Sequence, residues 1–153
     1  MTWVSHKSTT FSLGFLLGFP LWGTAVATVC SVLPDAVEFA LRLRHRGSLH
    51  NPITYCFVLP LLLVLSPSGL AFWTAVFALF GIGLHLLEDW ASVAGIPVGR
   101  GRAALGLYRV GSPAEYLPTA LLVAIVLVQR ERFVQWLSSG TREAIWLVLH
   151  TIR

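Results

Sequence analysis

The sequence is poor in charged residues and in cysteine. Only 12% of its 153 residues are Asp, Glu, Lys or Arg, about half of what a soluble domain usually carries. Cys30 and Cys56 are its only cysteines, too few for a scaffold held together by disulfides. Hydrophobic residues make up 56% of the chain, which excludes intrinsic disorder. The composition that is left is that of one small membrane-embedded domain.

The basic residues do not indicate nucleic-acid binding. Eleven Lys and Arg against seven Asp and Glu give a net charge of +4. They flank apolar runs and form no stripe with interleaved aromatic residues. That placement is typical of the positive-inside rule for membrane proteins. We therefore expect membrane lipid as the partner and no nucleic acid.

Uncharged runs predict the helices. Residues 9–33 carry no charge, and Gly18, Pro20 and Gly23 interrupt them. Because proline removes a backbone donor, this run is either one kinked span or two short helices at about 5–18 and 22–40. A second uncharged run, 51–84, contains turn residues at Ser66-Pro67-Ser68-Gly69. The other predicted helices are 52–65, 70–90 and 114–130, with a short helix from Thr141 to Ile152 on the membrane surface or against the bundle.

The predicted fold is therefore all-α. It is a small polytopic membrane bundle of about five short helices plus a C-terminal surface helix. Residues 1–130 form the membrane-embedded domain, and residues 131–153 form the C-terminal tail helix. Each helix is close to or below the length of about 20 residues that a straight span needs.

Polar residues that can bind metals lie at or near the ends of the apolar segments. One interpretation is that they are simply polar side chains at helix ends that water reaches, with no further function. His85 and Asp89 are four residues apart, however, and on a helix they share a face, which suits a two-point chelate of a divalent ion. Glu88 could bind the ion too or orient the imidazole. The residues in question are His6, Asp35, Glu38, His45, His50, His85, Glu88 and Asp89.

Two further clusters lie between residues 35 and 52. Asp35, Glu38, Arg42 and His45 are spaced three, four and three apart and would form one polar stripe on a continuing helix. That stripe is either part of a metal site or a salt-bridge ladder to Arg42. In the second cluster Gly47 can end this helix. Asn51 and Pro52 can begin the next one, and a histidine at a helix N-terminus favours the neutral form that a metal requires.

Several segments together resemble a known family. They are Ser5-His6, Leu33-Pro34-Asp35-Ala36-Val37-Glu38, HRGSLHNP (45–52) and HLLEDWASVAGIP (85–97). In order and spacing they are similar to the YdjM-type group of LexA-regulated, membrane-bound, metal-dependent hydrolases. That family shows an N-terminal His, PDxD, HRGxTHS, and HxxxD running into a loop of small residues and Gly. The resemblance covers roughly residues 5–118, and Glu115, four residues after Gly111, is similar to the family's last acidic position.

The chain departs from the family pattern at two places. The second Asp of PDxD is Val37 here, and Glu38 is expected to compensate because a spacing of three brings it onto the Asp35 face. The family's Thr and Ser on either side of the histidine are Leu49 and Asn51, so both hydroxyls are missing. Metal binding could survive these changes while catalysis does not.

The resemblance implies one or two divalent ions, zinc or manganese, which mixed imidazole and carboxylate ligands suit. The implied ligands are His6, Asp35, His50, His85 and Asp89. Glu38 or Glu88 would act as general base or support, and His45 as ligand or proton donor. The implied activity is hydrolysis of a phosphoester or lipid-like substrate. The ligand order is also similar to that of the all-helical zinc phospholipases C.

A shared metal also decides between the two readings of residues 9–33. His6 and Asp35 can hold one ion only if the chain doubles back, because a full span would separate them by about 30 Å. The site face would then carry most of the basic residues and face the cytosol of a bacterial or archaeal inner membrane. These residues are Lys7, Arg42, Arg44, Arg46, Arg100, Arg102 and Arg109.

Other readings stay open. Arg46, Arg100 and Arg102 either hold a substrate phosphate or are plain cytosolic-face residues. The chain is either an enzyme or a non-catalytic scaffold or partner subunit with a vestigial or structural metal site. A small transporter is disfavoured because the charges cluster at one face. Gly14 and Gly18 form a small-residue pair that could pack helices within the chain or in an oligomer.

Overall fold

The chain folds almost entirely into helices. The computed structural model describes residues 2–65 and 68–151. A 3₁₀ turn at Ser48–His50 precedes the fourth helix. The elements in chain order are α1 (Trp3–Leu16), α2 (Leu21–Cys30), α3 (Leu33–Ala40), α4 (Pro52–Val64), α5 (Gly69–Ala91), β1 (Ile96–Val98), β2 (Gly101–Ala103), α6 (Pro113–Val128) and α7 (Arg130–Thr151). The prediction of an all-α chain is confirmed at this level, and one short antiparallel β-hairpin is added to it.

The first apolar run is a helical hairpin. Gly18 has a left-handed φ of +75°, and Pro20 is the N-cap of α2. The two helices approach closely at Gly14, where a Cβ would lie 2.7 Å from Cγ2 of Thr24. Gly14 thus packs within the chain, as one of the two readings had it. The hairpin brings the start of α1 and the start of α3 to the same end of the molecule.

The predicted helix at 22–40 is broken into two. α2 ends at Cys30, and α3 begins at Leu33 with a bend of 42° between them. Pro34 lies in the first turn of α3 and has no N–H with which to continue the hydrogen bonds of α2. The bend turns the acidic face of α3 toward the start of α1.

The expected continuation of this helix to residue 45 is wrong. α3 ends at Ala40, and Arg42 adopts a left-handed φ of 52°. Gly47 therefore does not end the helix, as the sequence had suggested, and its φ of −88° is ordinary. The chain instead folds back so that Arg46 N–H donates to Glu38 Oε2 at 2.7 Å.

Helices α4 and α5 begin where the sequence predicts. The side chain of Asn51 caps α4 by accepting from Ile53 N at 3.1 Å, and Pro52 occupies its first turn. Ser68 caps α5 by accepting from Ala71 N at 3.2 Å. The other residues of the predicted turn, Ser66 and Pro67, lie outside the described residues.

Helix α5 packs directly on α2 through small residues. A Cβ at Gly81 would lie 2.0 Å from the carbonyl oxygen of Ala27, and a Cβ at Gly23 would lie 2.4 Å from the ring of Phe77. Neither position has room for a side chain. This close crossing fixes the C-terminal end of α5, with His85 and Asp89, beside α3.

The C-terminal helix α7 starts at Arg130, next to the start of the predicted tail helix at residue 131 and ahead of the short apolar helix predicted from Thr141. The rings of Phe133 and Trp136 lie 5.2 and 5.3 Å from the ring of Phe15. Trp136 Nε1 donates to Phe19 O at 2.7 Å. The first part of α7 thus packs against the far end of the α1–α2 hairpin.

Few of the described helices are long and apolar enough to cross a membrane on their own. Among the described residues, α5 alone is long and apolar enough to cross a membrane as a single helix. The bent pair α2–α3 passes the same test if it counts as one span. Helix α6 is apolar but shorter. The polytopic membrane arrangement therefore stays a prediction.

Candidate metal centre

Histidines and carboxylates from four segments meet at one end of the bundle. The segments are the start of α1, the helix α3, the turn before α4 and the end of α5. All the side chains concerned are at most 10% exposed. The five residues predicted to bind metal are all present in this cluster: His6, Asp35, His50, His85 and Asp89.

The shortest distances converge on His50. Its Nε2 atom lies 3.0 Å from Nε2 of His85 and 3.1 Å from Oδ1 of Asp35. Asp89 Oδ2 lies 3.6 Å from His50 Nε2 and 3.8 Å from His85 Nε2. Ligand atoms about 2.0–2.1 Å from a tetrahedral zinc ion are about 3.3 Å apart. His50, His85 and Asp89 are therefore spaced as ligands of one ion would be, and Asp35 lies beside His50 and His85.

Glu38 sets the orientation of the His50 ring. Its carboxylate accepts N–H groups from Arg46 at 2.7 Å and Gly47 at 3.0 Å. It also contacts His50 Nδ1 at 3.0 Å. A carboxylate that already accepts two N–H groups is an acceptor for the third as well, so Nδ1 of His50 carries the proton. Nε2 of the neutral ring is then left with its lone pair directed into the cluster.

His6 also has a carboxylate behind its ring, that of Glu88. Its Nδ1 atom is hydrogen-bonded to Oε2 of Glu88. Its Nε2 atom is buried and has no hydrogen-bond partner among the described residues; the nearest acid oxygen is Asp89 Oδ1 at 3.9 Å. The rings of His6 and His85 lie 4.1 Å apart. A carboxylate behind an inward-facing imidazole is the usual second-shell arrangement of metal-binding histidines.

The donor set of the cluster suits a cation. His85 Nε2 and Asp35 Oδ1 both lie about 3 Å from His50 Nε2, and acceptors this close repel one another unless a proton or a metal ion lies between them. Four buried carboxylates (Asp35, Glu38, Glu88 and Asp89) face one buried guanidinium, Arg46. Acidic side chains therefore outnumber basic ones at a place where charge is costly to bury. Imidazole and carboxylate donors, one of them orphaned at His6, fit a divalent ion.

In the absence of metal, a proton at His50 fills part of this need. Burial lowers the pKa of His50, but the hydrogen bonds to Asp35 and Glu38 raise it by more. The pKa of the ring thus lies above its ordinary value of 6.5. The same place in the cluster attracts a proton or a metal ion, and the two must compete.

Arg46 serves the cluster rather than a substrate phosphate. Neither of the two readings left open for this residue fits its position, because its side chain is 7% exposed and pairs with Asp89 Oδ1 at 2.8 Å. It also donates to Ser92 Oγ at 3.2 Å and Gly95 O at 3.0 Å. Arg102 donates to Gly95 O as well, at 3.2 Å. These bonds hold the loop after α5 against the centre.

His45 lies at the rim of the cluster. Its side chain is 66% exposed, and its Nδ1 atom is 3.5 Å from both Asp35 Oδ1 and Glu38 Oε2. The alternative of a salt-bridge ladder to Arg42 is not seen, since among the described residues both acids pair with histidines instead. The left-handed turn at Arg42 takes that residue off the helical stripe.

Two residues of the centre had no signal of their own in the sequence. Trp3 Nε1 donates to Asp35 Oδ2 at 3.1 Å, and the Tyr108 hydroxyl donates to the carbonyl of Glu88. Glu115, only weakly indicated, is fully buried and accepts the backbone N–H groups of Thr2 and Gly111. It therefore holds the start of α1 in place and is not among the residues whose spacing could hold an ion.

Comparisons of the chain with protein-family models, with curated proteins and with solved structures find no match. The function is therefore inferred from the geometry of the centre and from the resemblance of its motifs.

Proposed function

We propose that the chain is a membrane-bound, divalent-metal-dependent hydrolase of the YdjM type, acting on a phosphoester or lipid-like substrate. One observation carries the proposal. Buried side chains that can bind a metal meet at one end of the bundle: His6, His50, His85, Asp35 and Asp89. Glu88 lies behind the ring of His6, and Glu38 lies behind the ring of His50.

The chemistry of the ligands favours zinc or manganese. Imidazole and carboxylate together suit these ions better than magnesium or calcium, which prefer oxygen ligands. When bound, such an ion supplies a water of lowered pKa and polarises a substrate oxygen. What the protein itself provides is the fixed arrangement of donors.

Each residue then has a distinct task. His50 and His85 present Nε2, and Asp35 and Asp89 present one oxygen each. Glu38 and Glu88 hold imidazoles from behind, so we assign them positioning roles rather than that of general base. His45 is the one exposed member and lies where it can give a proton to a leaving group.

Surface composition supports a place in the membrane. Helices α4 and α6 expose large apolar side chains, among them Phe57 at 76%, Val64 at 82% and Val128 at 85%. Large apolar side chains this exposed suit contact with lipid or protein. Together with the long apolar α5, it agrees with an integral membrane protein whose basic, metal-binding end faces the cytosol.

A cavity beside the centre suits an amphiphilic substrate. It has a volume of about 410 Å³ and lies between α4 and α5, lined by apolar side chains that include Tyr55, Leu86 and Trp90. Leu86 follows His85 in the chain, and Trp90 follows Asp89. An acyl chain lying in this cavity would keep its polar end close to the metal ligands.

The test is metal analysis of the purified full chain in detergent, followed by an activity assay. We expect bound zinc or manganese. We expect its loss in the double variant His85→Ala with Asp89→Ala, but not in the control Thr141→Ala with Glu143→Ala on the exposed face of α7. A phosphodiesterase or phospholipase assay should show activity that chelation abolishes and zinc restores. A folded wild-type chain that binds no metal would overturn the proposal.

A second candidate is a non-catalytic scaffold or partner subunit with a structural metal. The complete burial of His50 and His85 favours it, because structural zinc sites are closed whereas catalytic sites keep an open position. The replacement of the family's hydroxyls by Leu49 and Asn51 points the same way. Bound metal without turnover in the assay would decide for this alternative.

A further inference from the structure

A second group of metal-binding side chains lies at the mouth of the centre. It consists of Asp35, Glu38 and His45, and we call it the outer cluster. With His50, these residues each offer a donor atom within 4.8 Å of the others. They line a cavity of about 330 Å³ together with Phe39, Arg42 and Leu43.

The outer cluster is spaced for an ion. His45 Nδ1 lies 3.5 Å from Asp35 Oδ1 and 3.5 Å from Glu38 Oε2. These separations exceed the usual hydrogen-bond length of about 2.7–3.2 Å. They match the spacing of ligand atoms that are each about 2.0–2.2 Å from a common metal. The three side chains thus face one another at distances longer than a hydrogen bond.

The two groups of ligands are linked through one carboxylate. Asp35 contacts both groups, since its Oδ1 atom lies 3.1 Å from His50 Nε2 and 3.5 Å from His45 Nδ1. A carboxylate in this position can bridge two cations.

We propose that the chain holds a second divalent cation on Asp35, Glu38 and His45, with Asp35 shared between the two ions. This inference rests on the proposed inner centre of His50, His85, Asp35 and Asp89. The outer ion faces the cavity, whereas the inner ligands are buried. The outer ion is therefore the one with coordination positions open to an anionic substrate oxygen, and Arg42 at the same cavity adds a positive charge.

The experiment counts ions on the full chain. Metal-stripped protein in detergent is titrated with Mn²⁺, with elemental analysis for stoichiometry and electron paramagnetic resonance for coupling between ions. We expect two ions per chain with a spin-coupled signal. In His45→Ala we expect one ion and no coupling, and in the control Arg44→Ala, an exposed neighbour, again two.

The outcomes separate the two proposals. One ion in both wild type and His45→Ala overturns the outer site and leaves the inner centre standing. Two ions retained in His45→Ala also overturn it, as does loss of all metal in that variant, which would make His45 a ligand of the inner centre. No Mn²⁺ and no zinc in any variant would defeat the proposed function itself.

Discussion

Trp3 and Asp35 are joined by a hydrogen bond across 32 positions of sequence. The indole Nε1 of Trp3 donates to Asp35 Oδ2 at 3.1 Å, while Oδ1 of the same carboxylate faces His50 and His45. The start of α1 therefore determines which oxygen of Asp35 is turned toward the proposed ions.

Removing that hydrogen bond should weaken metal binding. In Trp3→Phe the ring is kept but the donor is lost, and Asp35 is free to rotate. Second-shell changes of this kind cost about 10–100-fold in metal affinity. Because Trp3 is 43% exposed, we expect a loss near the lower limit, measured by competition with a chelator. Trp73→Phe, at the other end of the bundle, is the control, and equal affinities in the two variants would contradict the assigned role.

Glu38→Gln should destabilise the protein even without metal. The carboxylate accepts the N–H groups of Arg46 and Gly47 and contacts Nδ1 of His50. A glutamine would place an NH₂ group against one of these donors, whichever way the amide is turned. A buried polar group left unsatisfied costs about 1–3 kcal/mol.

Thermal or denaturant unfolding in the presence of a chelator measures this effect. We expect the Glu38→Gln midpoint to fall and the metal affinity of the folded variant to fall with it. Glu143→Gln on α7 changes the same group at an exposed position and should leave both quantities unchanged. An unaltered midpoint for Glu38→Gln would show that the turn at 40–47 is held by other contacts.

Gly81→Ala should separate α2 from α5. A Cβ at this position would lie 2.0 Å from the carbonyl oxygen of Ala27, and backbone cannot move aside as a side chain can. Overpacking of this kind costs about 1–3 kcal/mol and would shift His85 and Asp89 relative to α3. We therefore expect lower stability together with weaker metal binding.

Gly83 provides a matched control on the same helix. Nothing lies within 4 Å of a Cβ built there, so Gly83→Ala should be neutral or stabilising by about 1 kcal/mol, the difference in helix propensity. The two variants are compared by unfolding of the purified proteins. A Gly81→Ala variant as stable as Gly83→Ala would mean that the α2–α5 crossing is looser than described.

Metal-free and metal-loaded protein should respond to pH in opposite directions. The pKa of His50 is raised above 6.5 in the folded, metal-free chain. The proton on His50 therefore stabilises that chain below pH 6.5, and the stabilisation is lost as the pH rises through the raised pKa. Metal binding displaces the same proton, so metal affinity should rise over the same pH range, by up to about tenfold per pH unit for one proton.

Unfolding curves with chelator and with saturating zinc, recorded from pH 6 upward, check this prediction. The chelated protein should lose stability as the pH rises, and the stabilisation by zinc should grow. Parallel pH profiles for the two forms would show that His50 is not where proton and metal compete.

The sequence predicts well what depends on local chemistry. Asn51 followed by Pro52 begins α4, and Gly18 and Pro20 turn the first run back on itself, because these residues act through their own backbone. The spacing of Asp35 and Glu38 also places both side chains against His50, as expected for the compensation of Val37.

What the sequence misses depends on distant contacts. The left-handed backbone at Arg42 and Arg46 is unusual for residues other than glycine. At Arg46 the hydrogen bond to Glu38 and the ion pair with Asp89 hold it in place. The first part of α7 likewise packs on Phe15, whose ring lies 5.2 Å from that of Phe133, more than a hundred positions away. No local pattern carries this information.

The lengths of the helices would limit how thick a surrounding bilayer could be. Helices α1, α2 and α4 have 14, 10 and 13 residues, and at about 1.5 Å per residue none of them matches a hydrocarbon core about 30 Å thick. In a membrane, lipid beside these helices would have to thin, whereas α5 with its 23 residues fits unaided. Phospholipid headgroups would then dip toward the buried histidines on one side only. Acyl-chain length of the host membrane, varied in proteoliposomes, would thus tune how easily a headgroup reaches the centre.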